Sequence, residues 1–210
     1  MILKASRFVF VFAATLAPAL PNQIQPGNFV TSSVETYTGL SGLFPSTCSG
    51  VPCTTALPIT INGNVYNTDN ATLRYFANNS GCPGGDNTCI NNFSDTGFID
   101  ITLASAVQAV GAYVFPATSP GVQFDFFGPT NNLLGTVIVT TNNGFGGWSD
   151  PGGITRIRVT DLTTDASSFF LDSLTTGTTQ AAGVPEPASL MTVGVGLLLI
   201  GRRLSRRATM

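Results

Sequence analysis

Short apolar runs that alternate with polar residues dominate the chain between residues 20 and 183, and no helical periodicity there is long enough to predict a stable helix. Residues 97–103 show the alternation well, because Ile99, Ile101 and Leu103 fall on one side of an extended strand. Glycine, proline and asparagine separate the runs, as they do where turns join strands. The pattern predicts an all-β body.

We predict about eight to ten strands in a jelly-roll-like β-sandwich. The candidate strands occupy residues 29–38, 57–61, 72–76, 97–103, 107–115, 122–126, 133–140, 154–160 and 169–174. Residues 128–132 predict a hairpin loop between two of them. A body of this length can bury a core, and five large apolar side chains are candidates for it: Phe98, Phe124, Phe126, Phe169 and Leu171.

The N-terminal basic, apolar and small-residue segments follow one another in the order that is typical of a secretory signal peptide. Lys4 and Arg7 precede an apolar run, and Ala17 and Ala19 supply small residues at a cleavage site. We predict a signal peptide over residues 1–19. The alternatives are a buried strand and an uncleaved anchor, although the segment is short for a membrane span.

A proline-containing segment, an apolar run and a basic cluster follow one another at the C-terminus. Residues 184–190 read Val-Pro-Glu-Pro-Ala-Ser-Leu, and the uncharged run predicts a single transmembrane helix over 188–201. As a helix this run measures about 22 Å, less than the roughly 30 Å bilayer core, so it spans only with snorkelling or local thinning. The basic cluster would remain on the cytoplasmic side of the membrane: Arg202, Arg203, Arg206 and Arg207.

This order resembles the PEP-CTERM sorting signal of Gram-negative bacteria, also called the ice-binding protein C-terminal domain, over about residues 183–207. The resemblance implies export, transient membrane retention by the four arginines, and recognition by an exosortase at Pro185, Glu186 and Pro187. The alternative is an ordinary C-terminal tail anchor. The predicted organisation is a signal peptide (1–19), a β-sandwich (20–176), a linker (177–184) and the sorting signal (185–207).

Residues 70–176 also resemble the jelly-roll domain of exported PEP-CTERM proteins, and are similar in outline to galactose-binding-like sandwiches and carbohydrate-binding modules. The segments that carry this resemblance are 111–115, 123–126, 144–148, 153–157 and 169–172.

The absence of histidine excludes a Ser-His-Asp triad, a Cys-His dyad and a His-ligated zinc site. Between residues 20 and 183 there are three arginines and ten carboxylates, a net charge of about −7, so nucleic acid is not an expected partner. We expect a non-enzymatic, exported protein of the cell surface or extracellular matrix that binds carbohydrate, in particular exopolysaccharide. The alternatives are a polysaccharide-active enzyme with paired carboxylates, a purely structural or adhesive surface protein, and an ice-binding protein.

The only tryptophan lies in a stretch rich in glycine and amides, which we interpret as a loop. Sugars bind to an aromatic ring together with amide and carboxylate groups, and these chemistries define a candidate ligand site: Trp148, Phe145, Asn142, Asn143 and Asp150. In the alternative interpretation, Trp148 fills one end of the core.

Arg156 and Arg158 are two residues apart, so they share the strand face opposite Ile157 and Val159. This face is either simply solvated or binds sugar or an acidic polymer.

Four cysteines lie in the predicted exported part, where an oxidising compartment favours disulfides. We favour Cys48–Cys53 and Cys82–Cys89, since each pair closes a small loop rich in glycine and proline. The other pairings and a four-cysteine zinc site remain alternatives, although these spacings are looser than those of zinc pairs.

No cofactor is predicted, apart from a structural Ca²⁺ as a separate hypothesis, because loop aspartates and asparagines offer the oxygen ligands that Ca²⁺ prefers. The second resemblance points to Asp172 as a Ca²⁺ ligand, with turn capping as the alternative role.

Overall fold

The structure is a computed structural model that describes residues 22–38, 40, 53–69, 72–77, 82–83, 87–92, 97–116, 121–162 and 169–179. The predicted signal peptide, transmembrane helix and sorting signal lie outside these residues. No helix formed by the described residues is long and apolar enough to cross a membrane.

Within the described residues the fold consists of antiparallel β-strands and one short 3-10 helix, Pro26–Asn28. The strands are β1 (Asn22–Gln23), β2 (Phe29–Glu35), β3 (Cys53–Ala56), β4 (Ile59–Ile61), β5 (Asn64–Thr68), β6 (Thr72–Phe76), β7 (Cys89–Asn92), β8 (Phe98–Phe115), β9 (Val122–Phe127), β10 (Leu133–Val139), β11 (Gly144–Asp161) and β12 (Phe170–Thr179). The all-β prediction is confirmed, with more strands than expected.

Two long bent strands, β8 and β11, run through both layers of a β-sandwich. In the first layer the order is β10-β9-β11-β8-β5-β4, where residues 156–161 of β11 and 98–102 of β8 take part. In the second layer the order is β1-β11-β8-β12, where residues 144–149 of β11 and 109–114 of β8 take part. β12 then pairs with β2 and with β7, which leads to β6 and β3.

The bend in β11 lies at Pro151, Gly152 and Gly153, where the pairing with β8 shifts between Ser149 and Ile154. Strands that pass from one sheet to the other bend at such irregularities. Across the bend, residues 104–106 of β8 are exposed but keep strand geometry. The two strands predicted at 97–103 and 107–115 are therefore one continuous strand.

The core lies between the two layers. Four of the five predicted core side chains are fully buried: Phe124, Phe126, Phe169 and Leu171. The prediction for Phe98 was wrong, because Ile99 and Ile101 point inward and alternation turns Phe98 to the outer face.

The described strands β2 and β5, in the N-terminal third of the chain, belong to the same sandwich. β5 pairs with β8, and β2 pairs with β12 over Phe29–Glu35. Because of this pairing, β12 continues to Thr179 and does not end at the expected boundary at residue 176. The sandwich therefore comes close to the sorting signal along the chain.

The predicted disulfide between Cys82 and Cys89 is confirmed. It joins two of the four sulfurs that a four-cysteine zinc site would need, which argues against that alternative. Cys48 lies outside the described residues, as does the side chain of Cys53.

Candidate functional site

The glycine-rich stretch before Trp148 is not a loop, since β11 begins at Gly144. Side chains alternate between the two faces of a strand, so Trp148 and Phe145 point in opposite directions. The five predicted ligand-binding residues therefore do not share one surface.

Trp148 packs into the end of the core. Its ring stacks on Phe126 with 6.1 Å between the ring centroids, and it covers Gly135, where a Cβ atom would overlap the indole. The indole Nε1 is buried and has no hydrogen-bond partner among the described residues. This packing agrees with the alternative interpretation, in which Trp148 fills the core.

Phe145 lies on the outer face of the second layer. Its ring meets Tyr113 edge-on at 5.2 Å between centroids and Phe29 at 6.3 Å. Ile24 also reaches this face, and its backbone N–H donates to the carbonyl of Gly147 at 3.0 Å. The chain at β1 and Ile24 therefore packs against an apolar surface formed by this aromatic cluster.

Beside this cluster lies a groove of about 390 Å³ between the segment 23–26, the end of β10 and the start of β11. Its described lining is rich in amides and hydroxyls around an aromatic wall: Gln23, Gln25, Tyr113, Thr140, Thr141 and Asn143. We name this feature the amide groove.

The amide groove brings together two of the predicted ligand-binding residues, Phe145 and Asn143. Asn143 is in the left-handed region, with φ of 54°. It lies in a tight turn that is closed by a hydrogen bond from the Gly144 N–H to the Thr141 carbonyl at 3.0 Å. Asn142 is exposed on the same turn. Asp150 lies at the bend of β11, where its Oδ1 accepts a hydrogen bond from the Gly152 N–H at 2.7 Å.

Sequence reasoning missed Gln23, Gln25 and Tyr113. Tyr113 is the residue opposite Phe145 in the pairing of β8 with β11. Only the register of these two strands could have revealed it, and one sequence does not specify that register.

Asp172 is fully buried, and its Oδ1 accepts a hydrogen bond from the backbone N–H of Ser173. Ser173 has φ of 53° where the pairing of β12 with β8 is irregular. Among the described residues, no three acidic, cysteine or histidine side chains gather as a metal site. A lone carboxylate supplies few of the six to eight oxygens that Ca²⁺ takes, so the Ca²⁺ site stays a hypothesis.

A buried polar cluster links the two layers at the β2 edge. Asn64 Nδ2 donates to Glu35 Oε2 at 3.0 Å, and the hydroxyls of Tyr37 and Tyr66 lie 3.2 Å apart. Burial raises the pKa of Glu35, and hydrogen bonds from Asn64 and Tyr66 offset part of that rise. Burial also raises the pKa of both tyrosines well above their usual range.

Several solved structures align with this chain at low sequence identity and low TM-score. A family 6 carbohydrate-binding module shares 16% identity with a TM-score of 0.34, and the match covers 53% of this chain and 86% of that one. The K2 cleaved adhesin domain of Lys-gingipain shares 9% identity with a TM-score of 0.45, over 70% of this chain and 98% of that one.

A mutant of a family 29 carbohydrate-binding module shares 14% identity with a TM-score of 0.41, over 75% of this chain and 97% of that one. All three TM-scores are below 0.5, so the fold assignment rests on the strand pairing described above. No curated protein sequence matches this chain.

The C-terminal segment gives a direct family match. Residues 183–207 match the PEP-CTERM protein-sorting motif, over the same range as the resemblance found in the sequence. The match includes Pro185, Glu186, Pro187 and the arginine cluster. This chain carries a PEP-CTERM protein-sorting motif C-terminal to a β-sandwich body.

Proposed function

We propose that this chain is an exported, non-enzymatic protein of the cell surface or extracellular matrix, sorted by an exosortase, whose β-sandwich binds extracellular polysaccharide. The observation that carries the proposal is the sorting motif at residues 183–207. The motif supports export of the protein through the cell envelope, and outside the cell it would encounter extracellular polymers.

The order of the C-terminal segments supports a short attachment of the sandwich to the membrane before cleavage. β12 ends at Thr179, and residues 180–187 lead to the predicted transmembrane helix, which begins at residue 188. Even fully extended, those residues reach at most about 29 Å. With the arginine cluster on the cytoplasmic side, the sandwich lies outside and close to the membrane until an exosortase acts.

The amide groove is the proposed polysaccharide site. Amide and hydroxyl groups both donate and accept hydrogen bonds, which suits the hydroxyls of sugars. The Tyr113 ring adds an apolar surface with a polar tip. The described lining contains no carboxylate, thiol or amine side chain, so it favours a neutral sugar chain and offers no strong general base for hydrolysis.

The test is a binding titration of the full-length chain in mild detergent against neutral and acidic bacterial exopolysaccharides, with Ca²⁺ and with EDTA. We expect saturable binding of at least one neutral polymer. Binding should be equal in Ca²⁺ and EDTA, because no carboxylate is among the described residues of the amide groove.

The decisive variant is Asn143→Gly, because glycine keeps the positive φ of the turn while removing the amide. Loss of a hydrogen-bonding group that faces the ligand should weaken binding about tenfold. Asn142→Gly is the matched control on the same turn and should bind like the wild type. Absence of saturable binding to every polymer, or wild-type affinity in Asn143→Gly, would contradict the proposed site.

A further inference from the structure

We propose a second binding surface, for carboxylate-bearing sugar chains such as polyuronates, on the outer face of the first layer. The inference rests on the proposed function, since it assumes that the sandwich binds polysaccharide. The surface comprises Arg156 and Arg158 with Asp100, Phe98 and Phe127, and we name it the arginine face.

Both arginines of the arginine face are held on one carboxylate oxygen. Asp100 Oδ2 accepts from Arg156 Nη1 at 2.9 Å, from Arg158 Nε at 2.9 Å and from Arg158 Nη2 at 2.7 Å. Side-chain exposures of 22% for Arg156 and 38% for Arg158 leave each side chain partly accessible.

Each guanidinium also stacks on an aromatic ring. The guanidinium carbon of Arg156 lies 3.8 Å from the centroid of Phe127, and that of Arg158 lies 4.3 Å from the centroid of Phe98. Stacking and ion pairing fix the orientation of side chains that are otherwise flexible. A ligand would therefore lose less conformational free energy on binding than it would at two mobile arginines.

The unused hydrogen-bonding capacity of this surface consists mainly of donors. Each guanidinium has five N–H groups, and the bonds to Asp100 use one from Arg156 and two from Arg158. The Nε–H of Arg156 is buried, so the donors left for a ligand are on the Nη atoms of both residues and not on that Nε. The neighbouring carboxylate of Asp125 already accepts from Gln123 Nε2 at 3.0 Å and from Thr136 Oγ1 at 2.6 Å. The groups that remain suit an acceptor, and a carboxylate can take two parallel N–H bonds from one guanidinium.

The surface around the arginines is long enough for several sugar units. Successive cross-strand partners form a polar row over five adjacent strands: Asn67, Asp100, Arg158, Asp125 and Thr136. At about 4.8 Å per strand the row extends over roughly 19 Å. An extended chain can lie across the strands and place a carboxylate on Arg158.

Charge alone does not explain an affinity for acidic polymers here. Arg156 and Arg158 are balanced by Asp100 and Asp125 on the same face, and the body is acidic overall. Recognition must come from the fixed geometry of the guanidinium groups. Lysine carries the same charge without the planar fork, so a lysine substitution separates geometry from charge.

The experiment titrates the full-length chain in detergent with polygalacturonate and with its methyl-esterified form, which has the same backbone without the charges. We expect saturable binding of polygalacturonate and at least tenfold weaker binding of the ester. Arg158→Lys and Arg156→Lys should each lose about tenfold in affinity for polygalacturonate while their melting temperatures stay close to that of the wild type. Arg74→Lys, the same substitution on β6 and outside the arginine face, is the control and should bind polygalacturonate like the wild type.

The inference is overturned if both lysine variants keep wild-type affinity, or if the methyl ester binds as well as the acid. Binding of neutral polymers through the amide groove without any binding of polygalacturonate would refute this second surface and leave the proposed function standing. No binding of any polymer would refute both.

Discussion

The carboxyl group of Glu35 is buried, where its ionised form is energetically unfavourable. It is 9% exposed, and its Oε1 is buried with no hydrogen-bond partner among the described residues. Burial outweighs the hydrogen bonds from Asn64 and Tyr66, so the pKa of Glu35 in the folded chain is above its ordinary value of 4.5. The protonated form is therefore favoured by folding.

The raised pKa of Glu35 predicts a pH-dependent stability. Below pH 4.5 the carboxyl is protonated in both the folded and unfolded chain, and its favourable contribution is fully present. As the pH rises through the folded-state pKa, that contribution is lost. Above this pKa we expect Glu35→Gln to have a higher melting temperature than the wild type. The melting temperature of Glu35→Gln should also decrease less than that of the wild type as the pH is raised from 4.5, as measured by circular dichroism. Parallel pH profiles for the two proteins would contradict this account.

Phe145 and Asn143 show how far residue-level reasoning could go. Their chemistry predicted a role in ligand binding, and the structure places both at the amide groove. The same reasoning grouped them with Trp148, because composition does not report which side of a strand a side chain takes. The pairing partner Tyr113 is distant in the sequence, so no local pattern could identify it.

At the scale of elements, local patterns predicted the short strands β2, β4, β6, β9 and β10 but not β1, β3, β5 and β7. The candidate at 72–76 corresponds to β6 and that at 122–126 to β9, and the hairpin at 128–132 is confirmed by the bond from the Gly128 N–H to the Asn132 carbonyl. Among the missed strands, β5 gives no clear alternation, because Asn64–Thr68 has a single large buried side chain, Tyr66.

The glycines at the start of β11 explain why that strand was interpreted as a loop. Gly146 lies beneath the ring of Phe124 from the other layer, where a Cβ atom would overlap the ring. Glycine lowers strand propensity, yet here it permits close contact between β11 and β9. Tertiary packing thus overrides the local preference, and the sequence alone does not reveal the contact.

This contact predicts that Gly146→Ala destabilises the sandwich. Phe124 is fully buried, so the ring has little room to move. Overpacking of this kind costs about 1–3 kcal/mol in the free energy of unfolding, measurable by urea denaturation. Gly27→Ala is a suitable control, because no heavy atom beyond its chain neighbours and its own helix backbone lies within 4 Å of its Cβ position. Equal midpoints for Gly146→Ala and the wild type would show that the layers adjust without cost.

At the scale of the whole molecule, the two layers present two different outer surfaces. The amide groove lies at the second layer and has uncharged polar groups, whereas the arginine face lies on the first layer and has fixed guanidinium groups. β8 and β11 pass through both layers and join these surfaces to one core. The two proposed sites would let one sandwich contact neutral and acidic polymers in the same matrix.

The sorting motif bears most directly on the central claim, that this sandwich is delivered to the cell surface by an exosortase. The measurement is the mass of the mature chain from the envelope and medium of a bacterium that has an exosortase, compared with an exosortase-deficient strain. We predict a product shortened near Pro185–Pro187 in the first strain only, and a full-length C-terminus for Glu186→Ala in both. A wild-type chain of the same mass in both strains would contradict the account.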